Sequence, residues 1–169
     1  WIDVVLKPSS INKKRPFTIS GKFNVNNVLP ARDSYFTGDI KRSNRYPNDS
    51  FLTNWYQNDS IYWPIEVMNN GLYNIKLLIG SNRESLNTDI IVSSNNSNVK
   101  ARVNKIFNSD LRGMENDRVP RIESYLKDFQ TIDLDPIYLS RESKYLSLKR
   151  GKKSLESIDF RRIILTLDN

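Results

Sequence analysis

The residues best suited to acid–base chemistry lie in one mixed-charge stretch, residues 112–129 (RGMENDRVPRIESYLKDF). Glu115 and Asp117 occur there close together, and paired carboxylates can act as a general acid and a general base. Such a pair must be held at a defined separation with its pKa values driven apart, and proximity in the sequence provides neither condition. Asp133 and Asp135 form a second pair with the same shortcoming. Exposed or salt-bridged acids are therefore the favoured interpretation.

Two residue types that dominate enzyme sites are missing, because the chain contains no histidine and no cysteine. A Ser-His-Asp triad, a cysteine nucleophile and the usual zinc sites are thereby excluded, as are disulfide bonds. Oxygen ligands could still hold a structural calcium ion, although the chain lacks the EF-hand loop pattern. We expect no catalytic residue in this chain, and an independent carboxylate enzyme is the least favoured function.

A second group of residues suits binding rather than catalysis. Residues 32–60 form a long polar loop rich in aromatic side chains and arginines. Flat aromatic rings suit the apolar faces of sugar rings, and the guanidinium fork pairs with sulfate or carboxylate groups. The predicted glycan-binding residues are Trp55, Tyr56, Asn54, Arg32, Arg42 and Arg45.

Trp55 and Tyr56 are the predicted stacking residues because their neighbours in the sequence are polar. The alternative is that the rings of this loop cover the core, since large aromatic residues are usually substantially buried.

The net charge of +7 favours a polyanionic partner: nucleic acid, an anionic glycan or an acidic protein surface. Nucleic acid could use the same residues through phosphate contacts and base stacking. It ranks below a glycan because the charges are dispersed and the aromatic ribonucleoprotein motif is missing. A solvated basic surface without a partner is also compatible with this charge.

The elements that must position these residues read as strands. Residues 71–80 (GLYNIKLLIG) alternate apolar and polar side chains with the period of two that a half-buried strand requires. Residues 61–67 (IYWPIEV) are predicted to pair with them through a tight turn at Asn70-Gly71. Pro64 should then lie at an edge or a bulge, because proline has no N–H for the ladder.

Further strand patterns recur at short intervals with Asn, Ser, Gly or Pro between them. That spacing predicts one all-β domain over residues 1–169, an antiparallel β-sandwich with two long ordered loops. The loops are residues 32–60 and 108–128. No apolar run reaches the roughly 18–20 residues that a membrane span needs.

The second loop, which contains the mixed-charge stretch, is predicted to be structural. Pro120 biases Val119 towards an extended backbone, so a helix should not run through this point. We expect ion pairs that hold the crossing between the sheets, formed among Glu115, Asp117, Arg118, Arg121 and Glu123.

Three stretches carry a resemblance to a known family. They are LPARDSYFTGDIKRSNRYPNDSFLTNW (29–55), YWPIEVMNNGLYNIKLLI (62–79) and LRGMENDRVPRIESYLKDF (111–129). In this order they resemble the C-terminal accessory domain of bacterial sulfatases of the alkaline-phosphatase-like superfamily. Residues 137–166 fit the same pattern, so the resemblance covers most of the chain.

The resemblance implies a jelly-roll, galactose-binding-like sandwich, similar to carbohydrate-binding modules. It would form part of a larger, exported bacterial protein and lie beside a calcium-dependent sulfatase domain in the same polypeptide. The sulfatase signature, Cys or Ser followed by x-Pro-x-Arg, does not occur in this chain, so the family's chemistry is assigned to no residue here.

Two functions consequently stay open. The domain could present an aromatic and basic surface to a sulfated or other anionic polysaccharide. Alternatively, it could be a structural domain without glycan affinity of its own that packs against the catalytic domain and shapes the rim of its cleft.

Overall fold

In a computed structural model, the chain folds into two packed β-sheets. The structure describes residues 15–43, 50–95, 97–113, 118–119, 126–151 and 157–168. Within these residues lie twelve strands, one short 3-10 turn (Ala31–Asp33) and no α-helix. No helix long and apolar enough to cross a membrane occurs among them. The strands are β1 (Phe17–Ile19), β2 (Asn27–Pro30), β3 (Tyr35–Phe36), β4 (Lys41–Arg42), β5 (Leu52–Trp55), β6 (Ser60–Val67), β7 (Gly71–Gly80), β8 (Asp89–Ser94), β9 (Ser97–Arg102), β10 (Gln130–Leu139), β11 (Tyr145–Arg150) and β12 (Ile158–Leu167).

In each sheet, one long strand pairs along one of its edges with two short strands. Sheet I has the order β1-β6-β11-β8-β9, and β3 also pairs with β6. Sheet II has the order β10-β7-β12-β5-β4, and β2 also pairs with β12. The pairing of β1 with β6 is parallel and the other pairings are antiparallel. The predicted β-sandwich is confirmed.

The core lies between the two sheets and follows the predicted alternation. Every second side chain of β6 and of β7 is buried, while the residues between them are partly or fully exposed. Because the inward faces are almost wholly apolar, burial of their surface is the main force that holds the sheets together. The buried side chains of these two strands are Ile61, Trp63, Ile65, Val67, Tyr73, Ile75, Leu77 and Ile79.

The predicted hairpin between β6 and β7 is wrong. β6 belongs to sheet I and β7 to sheet II, so residues 68–70 cross from one sheet to the other. Neither Asn70 nor Gly71 has the positive φ that a tight two-residue turn would need. The crossing places the apolar faces of the two strands on opposite sides of the core, whereas a hairpin would place them side by side on one sheet. The tight connection lies instead between β8 and β9, where Ser94 pairs with Ser97 and Asn95 has a φ of 47°.

Pro64 interrupts the ladder on one side of β6. β3 pairs with Ile61 and Tyr62, whereas β1 pairs with the segment that begins at Ile65. Pro64 lies in the gap between these two short strands, where its missing N–H leaves no ladder hydrogen bond unmade. On the opposite side it faces Tyr145 of β11. The gap leaves an opening in the surface of sheet I.

The two ends of the second loop (residues 108–128) are joined by a pair of backbone hydrogen bonds. Arg112 N–H donates to the carbonyl of Leu126 (2.9 Å), and Leu126 N–H donates to the carbonyl of Arg112 (2.7 Å). Lys127 Nζ lies 2.6 Å from Asp159 Oδ2, with both side chains largely buried. The two backbone bonds close the loop at its base, and the contact of Lys127 with Asp159 joins it to β12.

The predicted structural ion pairs stay a prediction. Arg118 is exposed, and the other four residues lie outside the described part of the chain. The pairs that the structure does show near this loop are Lys127–Asp159 and Arg112–Asp128.

Candidate ligand-binding groove

A groove of about 720 Å³ opens over Pro64, between β1 and β3. Three arginines reach it from different parts of the chain: Arg15 before β1, Arg32 in the 3-10 turn, and Arg42 in β4. We call it the arginine groove. Its lining residues are Arg15, Pro16, Phe17, Thr18, Arg32, Asp33, Ser34, Tyr35, Arg42 and Pro64.

The 3-10 turn aims Arg32 into the groove. Ala31 is fully buried, and its carbonyl accepts hydrogen bonds from the backbone N–H (3.1 Å) and the hydroxyl (2.7 Å) of Ser34. With these anchors inside, the next two side chains project outwards, and Arg32 Nε lies 3.3 Å from Asp33 Oδ2. Buried backbone contacts thus fix the place of Arg32 in the turn.

Arg42 reaches the groove from β4, where contacts with β5 and with Phe36 hold it. Its backbone pairs with Leu52 of β5, which is fully buried. Its guanidinium carbon lies 5.7 Å from the centre of the Phe36 ring, within the range of a cation–π contact. The predicted residues Arg32 and Arg42 are therefore brought to one groove.

Three tyrosines extend from the groove across the outer face of sheet I, and we call them the tyrosine ladder. Tyr35 and Tyr62 are cross-strand partners whose rings stack, with centroids 5.4 Å apart and planes at 19°. Tyr145 meets Tyr62 edge-on at 6.3 Å and is 56% exposed. Tyr62 and Tyr145 were not among the predicted binding residues, because both lie inside strand patterns, and Tyr145 is also far from the first loop in the sequence.

Trp55 is not a stacking residue, and that prediction is wrong. Its side chain is 0% exposed, meets Phe160 edge-on at 5.9 Å, and donates from Nε1 to the carbonyl of Asp59 at 3.1 Å. The cause is an extra residue in β5, where Leu52 pairs with Phe160 but Trp55 pairs with Ile158. This bulge rotates Trp55 into the core, the outcome that the alternative interpretation described.

Asn54 and Tyr56 do not line the arginine groove. Asn54 adopts a left-handed backbone (φ 57°) and forms part of the bulge in β5. Tyr56 is about one-third exposed, and its backbone N–H lies 3.4 Å from Asp59 Oδ2. Arg45 lies outside the described residues.

Arg150 is a buried arginine that the sequence did not single out. Burial lowers the pKa of its guanidinium to about 10, and the charge of Asp59 opposes that shift. The group still carries its charge at neutral pH. It donates to the carbonyl of Trp55, and its Nη2 lies 3.5 Å from Thr88 Oγ1. Arg150 thus satisfies the backbone carbonyl of Trp55, and it does not line the arginine groove.

The described part of the chain contains no group of three or more Asp, Glu, His or Cys residues that could hold a metal ion. The expected structural calcium ion therefore gains no support from these residues.

No family model matches the sequence, and no curated protein matches it. Solved structures do match the fold. One is the C-terminal family 6 carbohydrate-binding module of LamC, a marine laminarinase from Zobellia galactanivorans, with a TM-score of 0.57 and 11% identity over 84% of this chain and 99% of that one. Another is a carbohydrate-binding module of Cellvibrio mixtus lichenase 5A in complex with cellotriose, with a TM-score of 0.52 and 11% identity over 84% and 97%.

The fold also resembles part of the insecticidal crystal protein Cry2Aa, with a TM-score of 0.61 and 16% identity. That match covers 89% of this chain but only 22% of the toxin. Identities this low show a shared fold. The chain is a β-sandwich of the architecture seen in these carbohydrate-binding modules.

Proposed function

We propose that this chain is a non-catalytic carbohydrate-binding domain whose ligand is a polysaccharide bearing sulfate or carboxylate groups. The observation that carries the proposal is the meeting of three arginines with one end of the tyrosine ladder in a single groove. The likeness of the fold to carbohydrate-binding modules supports it.

The two parts of the surface would have different roles. Arg32 and Arg42 would pair with anionic groups through charge-assisted hydrogen bonds, which are roughly twice as strong as neutral ones. Tyr145, the most exposed ring of the ladder, would pack against the apolar face of a sugar. Specificity for charged glycans would thus come from the groove, and affinity for the sugar backbone from the ladder.

We further propose that the domain acts beside a sulfatase domain in an exported bacterial protein. This rests on the resemblance of residues 29–55, 62–79 and 111–129 to the accessory domains of that family. Holding the polymer next to the catalytic site would raise its effective concentration without any new chemistry.

A purely structural domain is the second candidate, and the burial of Trp55 favours it. If the aromatic residues of the first loop serve only the core, the arginines could instead contact acidic groups on a neighbouring domain. Such a domain would have no glycan affinity of its own.

Isothermal titration of the chain against matched sulfated, carboxylated and neutral glycans separates the two candidates. We expect binding of the charged glycans, weakened by at least about tenfold in Arg42→Gln, because one charge-assisted hydrogen bond contributes roughly 1.5–3 kcal/mol. Tyr145→Ala should weaken binding of charged and neutral forms alike.

The matched control is Arg83→Gln, which removes the same charge at an exposed position outside the groove. Absence of heat with every glycan would reject the binding function and favour the structural domain. An equal loss in Arg42→Gln and Arg83→Gln would show that only the net charge matters.

A further inference from the structure

A bulge in β12 places two consecutive arginines on the outside of the sandwich. Phe160 and Ile163 are both fully buried, so two residues rather than one separate successive inward side chains. The pairing with β7 shifts register between Phe160 and Arg162, which marks Arg161 as the extra residue. Bulges re-aim side chains and are common beside binding sites. Both side chains consequently leave the strand on its outer face, where Arg161 Nη1 donates a 2.9 Å hydrogen bond to the carbonyl of Ser50.

These two arginines line a second groove, of about 410 Å³, which adjoins the arginine groove. The two grooves share Phe17, Arg32 and Asp33 as wall residues. Val28 and Pro30 of β2 complete the second groove.

A third groove, of about 280 Å³, continues from the second. It shares Arg161 and Arg162 with the second groove and extends to Arg112 at the base of the second loop. Because neighbouring grooves share wall residues, the three lie side by side on the surface, and we call them together the arginine trough. Its lining extends from Arg42 of β4, in the first loop (residues 32–60), to Arg112 at the base of the second loop (residues 108–128).

The trough carries a strong excess of positive charge. Six arginines line it, and the acidic lining residues are Asp33 and Asp128. Each acid contacts one arginine, Asp33 with Arg32 at 3.3 Å and Asp128 with Arg112 at 2.6 Å. Lys127 also lines the third groove, but its ammonium group is engaged by Asp159. The excess therefore comes from arginines spread along the trough, not from one cluster.

We infer that one anionic polysaccharide chain occupies the whole trough, so that its successive charged sugars meet arginines in all three grooves. This inference rests on the proposed function and specifies its ligand as an extended polymer. A single groove recognises one short segment, whereas linked weak contacts along one chain reinforce each other through effective concentration. Affinity should therefore rise with the length of the oligosaccharide.

The lining of the second and third grooves favours a glycan over nucleic acid. Single-stranded nucleic acid is bound by aromatic faces on which successive bases stack. The aromatic residues of these two grooves are Phe17 and Phe129, both partly buried, and Phe129 already meets Phe51 edge-on at 5.4 Å. Arginines without a stacking platform suit repeated sulfate or carboxylate groups.

The test compares sulfated and carboxylated di-, tetra- and octasaccharides by titration with the full chain. The wild type should bind the octasaccharide of one series about tenfold more tightly than its disaccharide, and the series that does so identifies the anionic group. Arg162→Gln should abolish that gain while leaving disaccharide affinity within twofold. Arg42→Gln should weaken binding at every length, and Arg83→Gln should leave the gain intact.

Arg112→Gln is a second, independent variant in case Arg162→Gln unfolds the domain. Its exposed pair with Asp128 contributes little to stability, so loss of the length gain in this variant reports on the ligand. Length-independent binding that still depends on Arg42 would overturn the trough but leave the proposed function standing. No binding at any length would reject both. Tighter binding of a single-stranded oligonucleotide of equal charge, with the same loss in Arg162→Gln, would make the trough a nucleic-acid site instead.

Discussion

The indole Nε1 of Trp63 donates a 3.0 Å hydrogen bond to the carbonyl oxygen of Pro30. Trp63 lies in β6 of sheet I, and Pro30 is the last residue of β2 in sheet II. The bond therefore joins the two sheets at the point where the 3-10 turn begins, one residue before Ala31 and two before Arg32. A fully buried side chain in the core thereby sets where an arginine of the groove lies.

Trp63→Phe should lower both stability and ligand affinity. The smaller ring stays apolar, but the partly buried carbonyl of Pro30 loses its indole donor, and loss of such a hydrogen bond costs about 1 kcal/mol. The volume lost beside Phe160, whose ring lies 5.8 Å from that of Trp63, adds to this cost. Urea unfolding measures the stability, and titration with the charged glycan measures the affinity.

The matched control is Tyr73→Phe, which removes a buried tyrosine's 2.8 Å hydrogen bond to the carbonyl of Asn69, outside the groove. It should lower the free energy of unfolding without changing affinity. Equal affinity losses in both variants would show that the Trp63–Pro30 bond has no specific effect on Arg32.

Trp55→Ala should be a stability variant and not a binding variant. Removing a fully buried tryptophan leaves a cavity and costs about 3–5 kcal/mol. Tyr56→Ala, one residue further along, removes a partly exposed ring and should stay within about 1 kcal/mol of the wild type. Urea titrations of both variants give the comparison. A folded Trp55→Ala protein of wild-type stability would contradict its place in the core.

The sequence predicted regular alternation well and its interruptions poorly. The period of two in β7 correctly gave its buried face, because that pattern depends only on neighbours within one strand. Trp55 was predicted to be exposed from its polar neighbours, but one extra residue in β5, with Asn54 in a left-handed backbone, turns its side chain into the core. The hairpin at Asn70-Gly71 failed because the choice between pairing and crossing depends on the partners of both strands, which lie far away in the sequence.

The residues of the grooves were likewise predicted only in part. Arg32 and Arg42 were predicted from residue type and loop context, and both line the arginine groove. Arg15 was missed because its proximity arises only when β1 pairs with β6 beyond Pro64. The pair Arg161-Arg162 did have a local signal, since two adjacent polar residues between apolar inward positions break the strand alternation and indicate a bulge.

Breaking the Lys127–Asp159 pair should destabilise the domain. The two side chains are 9% and 16% exposed, and Lys127 Nζ also donates to Asn108 Oδ1 at 2.8 Å. Lys127→Met leaves Asp159 charged in a mostly buried position, which costs about 3 kcal/mol. Urea unfolding measures the loss.

The double variant Lys127→Met/Asp159→Leu should recover much of that stability, because it removes both charges together. If the two single losses simply add, the pair is not coupled, and its contribution to holding the second loop is rejected.

Protonation of Asp89 in acid should make the domain less stable. Its carboxylate accepts a 2.9 Å hydrogen bond from Arg102 Nε, and Lys100 Nζ lies 3.4 Å away. The hydrogen bond from Arg102 is the main reason that the pKa of Asp89 is lowered, with partial burial acting in the opposite direction and Lys100 adding to the lowering. An acid whose pKa is lower in the folded state stabilises that state above its unfolded pKa, about 3.9.

That contribution is lost as the pH falls through the lower pKa of the folded state. Between neutral pH and about pH 4, Asp89→Asn should therefore be less stable than the wild type, and the difference should shrink below that range. Urea unfolding across this pH series measures it. Asp133→Asn is the control, because its contact with Lys76 is longer, 3.9 Å, and more exposed. A constant difference between wild type and Asp89→Asn at every pH would mean that the carboxylate contributes through its shape and not through its charge.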